Sequence, residues 1–347
     1  MLLKEFGWNE FFSSQLAGGT VGRVASANHG RFLVWTEAGD VDASVSGLLR
    51  RSSPIWPAVG DWVVLREDAE VIVKVLERKT KLSRKQPERE VREQVLAANI
   101  DVLFIVSGLD RDYNERRIER FLVMAQESGA RPVVLLNKAD LVGELGLDLD
   151  EVVSRTRKLC PGVTVAPLSA KSDHGLDALP AFLAPGETAA LIGSSGVGKS
   201  TILNRLLGDE RQRTFAVRAS DSRGRHTTTS RQIFVMPGGW LLMDLPGLRE
   251  VQLWATSEQL PGNLDASFDD IQQLALACRF RDCAHGGEPG CAVGAAGLEP
   301  ARLANYLKMQ RELAQLDRKT DPRLTKETRA RSKTSQKPGR KNPNRNG

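Results

Sequence analysis

Two hydrophobic periods divide the chain. From about residue 18 to residue 85, apolar and polar side chains alternate, most clearly in Val21–Ala25 and Val71–Val75, with turn residues such as Pro54, Pro57 and Gly60 between the runs. Side chains of a strand point alternately to its two faces, so this pattern predicts short half-buried strands and a small β-barrel. From about residue 87 the pattern changes. Ile100–Val106 is a continuous apolar run, the mark of a parallel strand covered on both faces. Asn114–Gln126 places Ile118, Phe121, Leu122, Met124 and Ala125 at helical spacing. Further strands are expected at Pro132–Leu136, Val163–Pro167, Thr188–Ile192, Gln232–Met236 and Trp240–Met243, a βαβ series. Residues 258–315 read as helices around an insert rich in Cys, His and Gly.

The blocks predict a multidomain protein: a lead over 1–16, an all-β barrel over 17–86, an α/β domain over 87–256, a mainly α domain over 257–316 and a tail over 317–347. In the tail apolar residues nearly vanish, so burial cannot offset ordering entropy and disorder is expected. Charge is unevenly placed. Of 347 residues, 49 are Lys or Arg and 43 Asp or Glu, a net +6. Arg318–Gly347 holds eleven basic residues against Asp321 and Glu327, so the tail carries +9 and the rest −3. No run approaches 18 apolar residues, which excludes a transmembrane helix. The first residues, with Glu5 and Glu10 and no long apolar core, do not read as a signal peptide. Four cysteines are too few for a disulfide scaffold. A cytoplasmic protein with no membrane partner is expected.

The candidate chemistry begins at Gly193, Ser194, Ser195, Gly196, Val197, Gly198, Lys199 and Ser200, which match the phosphate-loop pattern G-x-x-x-x-G-K-[ST]. The motif follows a predicted strand and precedes an apolar helical pattern from Thr201, which is counted with the nucleotide-binding residues. Glycines let the backbone wrap with its N–H groups inward, and the helix N-terminus adds positive potential. Lys199 should reach the outer phosphates and the Ser200 hydroxyl should hold Mg²⁺. Downstream, Asp244-Leu-Pro-Gly247 ends a strand, which suits an acid near Mg²⁺ and a γ-phosphate sensor at Gly247. Between them, Arg223-Gly-Arg-His-Thr-Thr-Thr229 could supply a threonine to Mg²⁺, and the residues alone do not choose among Thr227, Thr228 and Thr229.

Asn137-Lys138-Ala139-Asp140 follows a predicted strand and has the N-K-x-D form of a guanine-reading loop. Asp140 can accept from guanine N1–H and the 2-amino group, donors that adenine lacks. Lys138 would lie along the base and Asn137 would tie loops together. Ser169, Ala170 and Lys171, after the strand at 163–167, would supply a backbone amide to the guanine oxygen and apolar cover. In small GTPases the phosphate loop comes first; here the base-reading loops precede it. The loops can still converge, because open α/β sheets bind ligands beyond the carboxyl ends of their strands. Further on, Cys278-x4-Cys283-x-His285-x5-Cys291 offers three thiolates and an imidazole, a closed structural Zn²⁺ set. Cys160 is isolated and read as a core residue.

Together these features resemble the ribosome small-subunit-dependent GTPase A family (RsgA, also YjeQ or YloQ), over residues 18–315. The resemblance implies an N-terminal OB-fold, a circularly permuted P-loop GTPase and a C-terminal zinc domain. It implies GTP/GDP, Mg²⁺ and one structural Zn²⁺ as cofactors, and GTP hydrolysis stimulated by the small ribosomal subunit during late maturation. By motif position the Mg²⁺-linked threonine is Thr228.

Leu248, not a glutamine, follows Asp244–Gly247, so slow intrinsic hydrolysis is expected. Lys199 and Thr228 are the catalytic candidates, and His226 is the nearest candidate to position the attacking water, its alternative being a hydrogen-bonded loop residue. Arg50, Arg51, Arg78, Lys79, Lys81, Arg84 and Lys85, with some of Phe32, Trp35, Trp56 and Trp62, are candidates for rRNA contact, and the tail for phosphate attraction. Expected partners are the small subunit, its rRNA and assembly factors on it, met by a monomer. Two other readings are a permuted GTPase of the large subunit or another assembly pathway, and a non-enzymatic GTP-responsive RNA-binding protein.

Overall fold

The computed structural model describes residues 2–52, 55–66, 70–85, 93–208, 231–245, 264 and 267–320. It falls into two compact units, Met1–Arg84 with Glu93–Gln252, and Lys85–Arg92 with Leu253–Gly347.

The first unit contains the barrel. Strands β1 (Thr20–Asn28), β2 (Arg31–Thr36), β3 (Gly39–Val45), β4 (Trp62–Leu65) and β5 (Val71–Val75) pair in the order β1-β2-β3-β5-β4. β4 returns to β1 in the register Thr20↔Leu65 to Arg23↔Trp62, which closes the sheet and removes its edges. Val24, Phe32, Val34, Ala43, Val63 and Ile72 point inward as one core. The half-buried alternation expected at Val21–Ala25 is not found: all five residues are buried, because the lead packs on the outer face of β1. Short helices α1 (Glu10–Ser13) and α2 (Gly47–Ser52) flank the strands. The lead is part of the packing: Leu3, Phe6 and Phe12 are buried with Val21, Trp62 and Leu76.

β6 (Lys81–Lys85) and β7 (Glu93–Ala98) form a separate two-stranded ribbon between barrel and α/β sheet, which sequence periodicity did not predict. The α/β part then runs β8 (Val102–Gly108), α3 (Glu115–Ser128), β9 (Arg131–Asn137), α4 (Leu149–Leu159), β10 (Thr164–Pro167), β11 (Thr188–Ile192), helix α5 over 199–208, β12 (Arg231–Val235) and β13 (Leu241–Asp244). The strand order is β10-β9-β8-β11-β13-β12, parallel except that β12 runs antiparallel to β13. Every residue of β8 and β11 is buried, which is why both read as unbroken apolar runs. α3 starts at Asn114, whose side chain accepts from the Arg117 N–H, and stops at Gly129 in a left-handed conformation.

β12 also pairs with β1, through Ser26↔Gln232 and Ala27↔Arg231, so barrel and α/β sheet form one eleven-stranded sheet. A buried Arg23 reinforces the join. Its guanidinium donates to the carbonyls of Phe6, Gly60 (3.3 Å) and Asn99 (3.0 Å), and burial pushes its pKa down to about 10. Gly60 lies at φ +92, and a Cβ there would meet the Ala98 carbonyl at 2.0 Å, so only glycine permits this approach.

In the second unit, helices Asp269–Leu276, Ala292–Ala295 and Pro300–Thr320 surround the Cys/His insert. Phe268, Ile271, Tyr306 and Met309 are buried. The last helix carries three residues past Asp317, where the sequence placed the start of the disordered tail. The rest of the tail lies outside the described residues. No helix among the described residues is long and apolar enough to cross a membrane.

Candidate functional site

The central strand β11 delivers the phosphate loop and β9 delivers the base-reading loop, both at carboxyl ends of parallel neighbours of β8. The loop residues 193–198 turn into α5 at Lys199. Gly193 (φ +154) and Gly198 (φ +101) have backbone angles that L side chains rarely adopt. A Cβ on Gly198 would lie 2.2 Å from Asn137 Nδ2, and one on Gly193 would lie 2.4 Å from the Val106 carbonyl.

Asn137 is the node. Only 2% exposed, it donates from Nδ2 to the Val197 carbonyl (2.7 Å) and accepts at Oδ1 from the Ala170 N–H (3.0 Å). One amide thus joins the 137–140 loop, the 169–171 loop and the phosphate loop. Lys138, at a left-handed φ of 66, sends its ammonium to the Gly196 carbonyl (2.7 Å) and to the Asp110 carboxylate. The Ser169 hydroxyl donates to Asp140 Oδ1 (2.6 Å), which orients a carboxylate that stays exposed. Lys171 is exposed.

At the phosphate end, Lys199 is 7% exposed and donates to the carbonyls of Gly193 (2.9 Å) and Ser194 (2.7 Å). Burial lowers its pKa against the opposing pull of Asp244. Asp244, 8% exposed, has its pKa raised by burial, with Lys199 opposing. Among the described residues this carboxylate has no ion-pair partner within contact distance, so burial of its charge fits a cation beside it. Ser195, Gly196, Ser200 and Thr201 are exposed on the loop and first turn. Thr228, His226 and Gly247 lie outside the described residues.

Three residues that sequence reasoning passed over line the same site. Asp110, Asp112 and Arg117 bound, with Ser194, Ser195, Gly196 and Val197, a cavity of about 370 Å³. The available signal was positional: Asp110-Arg-Asp112 stands just past the carboxyl end of β8, as the N-K-x-D loop stands at that of β9.

The rRNA candidates divide. Phe32 and Trp62 are buried at 2% and 1% exposure, Trp35 packs under the lead, and Trp56 is 46% exposed with the Arg50 guanidinium over its ring. Arg78 forms a two-pronged pair with the buried Asp61 at 2.7 Å, which removes it from an outward-facing basic patch. Lys81 pairs with Glu93 (2.8 Å) and Lys79 with Asp101 (3.6 Å).

In the second unit, ligand atoms of Cys278, Cys283, His285 and Cys291 all lie within 4.8 Å of one another. His285 Nδ1 is 3.7 Å from Cys278 Sγ and 3.6 Å from Cys291 Sγ. A tetrahedral Zn²⁺ with Zn–S of about 2.3 Å and Zn–N of about 2.0 Å spaces sulfur and nitrogen by roughly 3.6 Å. The donor set and spacing therefore fit zinc. The Val293 and Ala292 N–H groups hold the Cys278 thiol below its usual pKa, and the Gly294 N–H donates to Cys291 Sγ (3.2 Å). Cys160 stands apart in the core at 3% exposure.

The family described as RsgA GTPase matches residues 75–254. The chain is 41% identical over 357 residues to a protein of Opitutus terrae named small ribosomal subunit biogenesis GTPase RsgA, with 96% of this chain and 95% of that one covered. The crystal structure of YjeQ from Thermotoga maritima superposes with a TM-score of 0.61 at 27% identity, covering 85% of this chain and 98% of that one. That of YloQ, described as a circularly permuted GTPase, superposes with a TM-score of 0.57 at 23% identity over 86% of this chain and 96% of that one, a likeness of fold. With a phosphate loop on the fourth strand of the α/β sheet instead of the first, and this similarity over nearly its whole length, the chain belongs to the RsgA GTPase family.

Proposed function

We propose that the protein binds the small ribosomal subunit and its rRNA and hydrolyses GTP to drive or check late maturation of that subunit. The observation that carries the nucleotide part is the Asn137 node, which draws the 137–140, 169–171 and phosphate loops to one place. The subunit part rests on the name of the Opitutus relative and on similarity over nearly the full length.

In this reading Asp140 accepts from the guanine edge, Ser169 holds its carboxylate plane, and Ala170 and Lys171 cover the base. The N–H groups of 193–198 and the helix N-terminus cradle the phosphates. Lys199 gives up its loop carbonyls for phosphate oxygens. Ser200, Asp244 and Thr228 would hold Mg²⁺, which would supply charge neutralisation at the outer phosphates. His226 orients water. Leu248 in place of a polar side chain leaves the chain slow alone, so the subunit supplies the missing stimulation. The barrel, whose β1-β2-β3-β5-β4 order closes on β1, is an OB-fold, and its exposed Arg50–Trp56 pair suits a nucleobase. Cys278, Cys283, His285 and Cys291 hold one structural Zn²⁺. The protein works in the cytoplasm as a monomer, beside assembly factors on the same subunit.

Phosphate release from GTP, measured alone and with purified small or large subunits, tests this. Stimulation by small subunits, with ATP inert, is expected. Stimulation by large subunits alone moves the protein to another pathway, and absence of multiple turnover under every condition leaves a non-enzymatic GTP-responsive protein.

A further inference from the structure

Among the described residues, three side chains from outside the phosphate loop hydrogen-bond to it, and the GTPase motifs account for two of them, Asn137 and Lys138. The third is Arg117, in the first turn of α3. Its Nη1 donates to Ser194 Oγ (2.5 Å) and to Asp112 Oδ2 (2.6 Å), and its Nη2 donates to Asp112 Oδ1 (3.1 Å). A planar guanidinium held on both oxygens of one carboxylate keeps little rotational freedom. Asp112 thereby aims Arg117 at Ser194. The contact lands on the second residue of the phosphate loop, whose carbonyl also takes the Lys199 ammonium. Arg117, Asp112 and the loop residues 194–197 form the wall of one cavity.

We propose that Arg117 is a positioning residue for nucleotide binding. Locked on Asp112, it holds Ser194 and so sets the phosphate loop before the nucleotide arrives. A loop ordered in advance loses less freedom on binding, so the contact raises affinity. Its effect on stability is small by comparison, because Arg117 and Asp112 are 31% and 49% exposed and a solvated pair contributes little. The inference rests on the reading of the site as a guanine-nucleotide pocket. A lysine cannot replace this arginine, because a single ammonium has no planar fork to span a carboxylate and a hydroxyl.

Displacement of a fluorescent GDP from the full chain, followed at equilibrium and by stopped flow, tests it with R117A, R117K, S194A and the R117A/S194A pair. Expected is a loss of affinity of about tenfold for R117A and for S194A, carried by faster release. R117K should recover little of it. The double variant should bind no more weakly than R117A alone, because both changes remove one contact. A double variant weaker by the product of the single effects overturns the proposal, as does R117A affinity within twofold of wild type. S194A removes only a hydroxyl; if R117A does not fold, S194A affinity within twofold of wild type overturns it equally. A wild-type chain that ignores GDP sinks the nucleotide reading and this inference together, whereas normal wild-type binding with unchanged variants sinks this inference alone.

Discussion

Replacing Asn137 by alanine removes a side chain that hydrogen-bonds to both the phosphate loop and the 169–171 loop. The site is buried, so water cannot fully replace either partner, and the Val197 carbonyl and Ala170 N–H are left without it. Each unsatisfied buried group costs about 1–3 kcal/mol. Some relaxation is available because the truncated side chain leaves room for a water molecule, which places the sum at about 2–4 kcal/mol. Part of this falls on folding and part on the preformed pocket. If half reaches the nucleotide, GDP affinity falls about five- to thirtyfold. Asn137→Asp sharpens the test. The carboxylate keeps an acceptor for Ala170 but faces the Val197 carbonyl with another oxygen, so it should bind GDP no better than the alanine variant. Thermal unfolding without nucleotide gives the folding share, and displacement of fluorescent GDP gives the binding share. An Asn137→Ala chain with wild-type GDP affinity would refute the claim that this amide assembles the pocket.

Other outcomes follow from the same geometry. Glu127 is half-buried with Oε2 lacking any hydrogen-bond partner among the described residues, and burial raises its pKa from 4.5 to about 8. The folded chain therefore keeps a proton that the unfolded chain releases between those values. Stability should be intact below pH 4.5 and should fall by about 2–4 kcal/mol as pH rises through 8. Glu127→Gln should flatten that part of the pH–stability curve; an unchanged curve assigns the slope elsewhere. Cys283→Ser should lower bound zinc, measured by mass spectrometry and dye release, from one per chain to far less, and chelation should lower protection of amides in 278–295; zinc retained in full by the variant removes Cys283 from the ligand set. Deleting residues 321–347 should flatten the salt dependence of rRNA affinity, whose log–log slope for the full chain is expected near −5 to −8 if six to nine tail charges meet phosphates; an unchanged slope relieves the tail of that role.

The elements legible in the sequence were those whose burial is simple. β5 and β11 occupy the predicted residues, and β8 and β9 lie within two residues of them; β8, β9 and β11 were legible because a strand covered on both faces leaves a continuous apolar record. The β6–β7 ribbon left no such record: its residues Lys81–Lys85 and Glu93–Ala98 are tied by Ser83–Glu93 and Arg84–Gln94 side-chain bonds, which periodicity does not register. The same stretch shows why charge counting misleads. Arg78 looked available for phosphate, yet its partner Asp61 is 17 positions away and fully buried. The pairing of β12 with β1 joins residues about 205 apart, a relation no local pattern carries. At the candidate site the spacing of Asn137, Lys199 and Asp244 was readable because phosphate and base chemistry impose residue types. Arg117 was not, because it supports the loop from a helix whose pattern otherwise speaks only of packing.

Isothermal titration of the full chain with GDP and, separately, ADP measures the central claim directly. One GDP per chain is expected, with no detectable ADP at a hundredfold higher concentration, since Asp140 would be left facing a base edge without donors. Equal affinity for the two, or binding of neither, would contradict it.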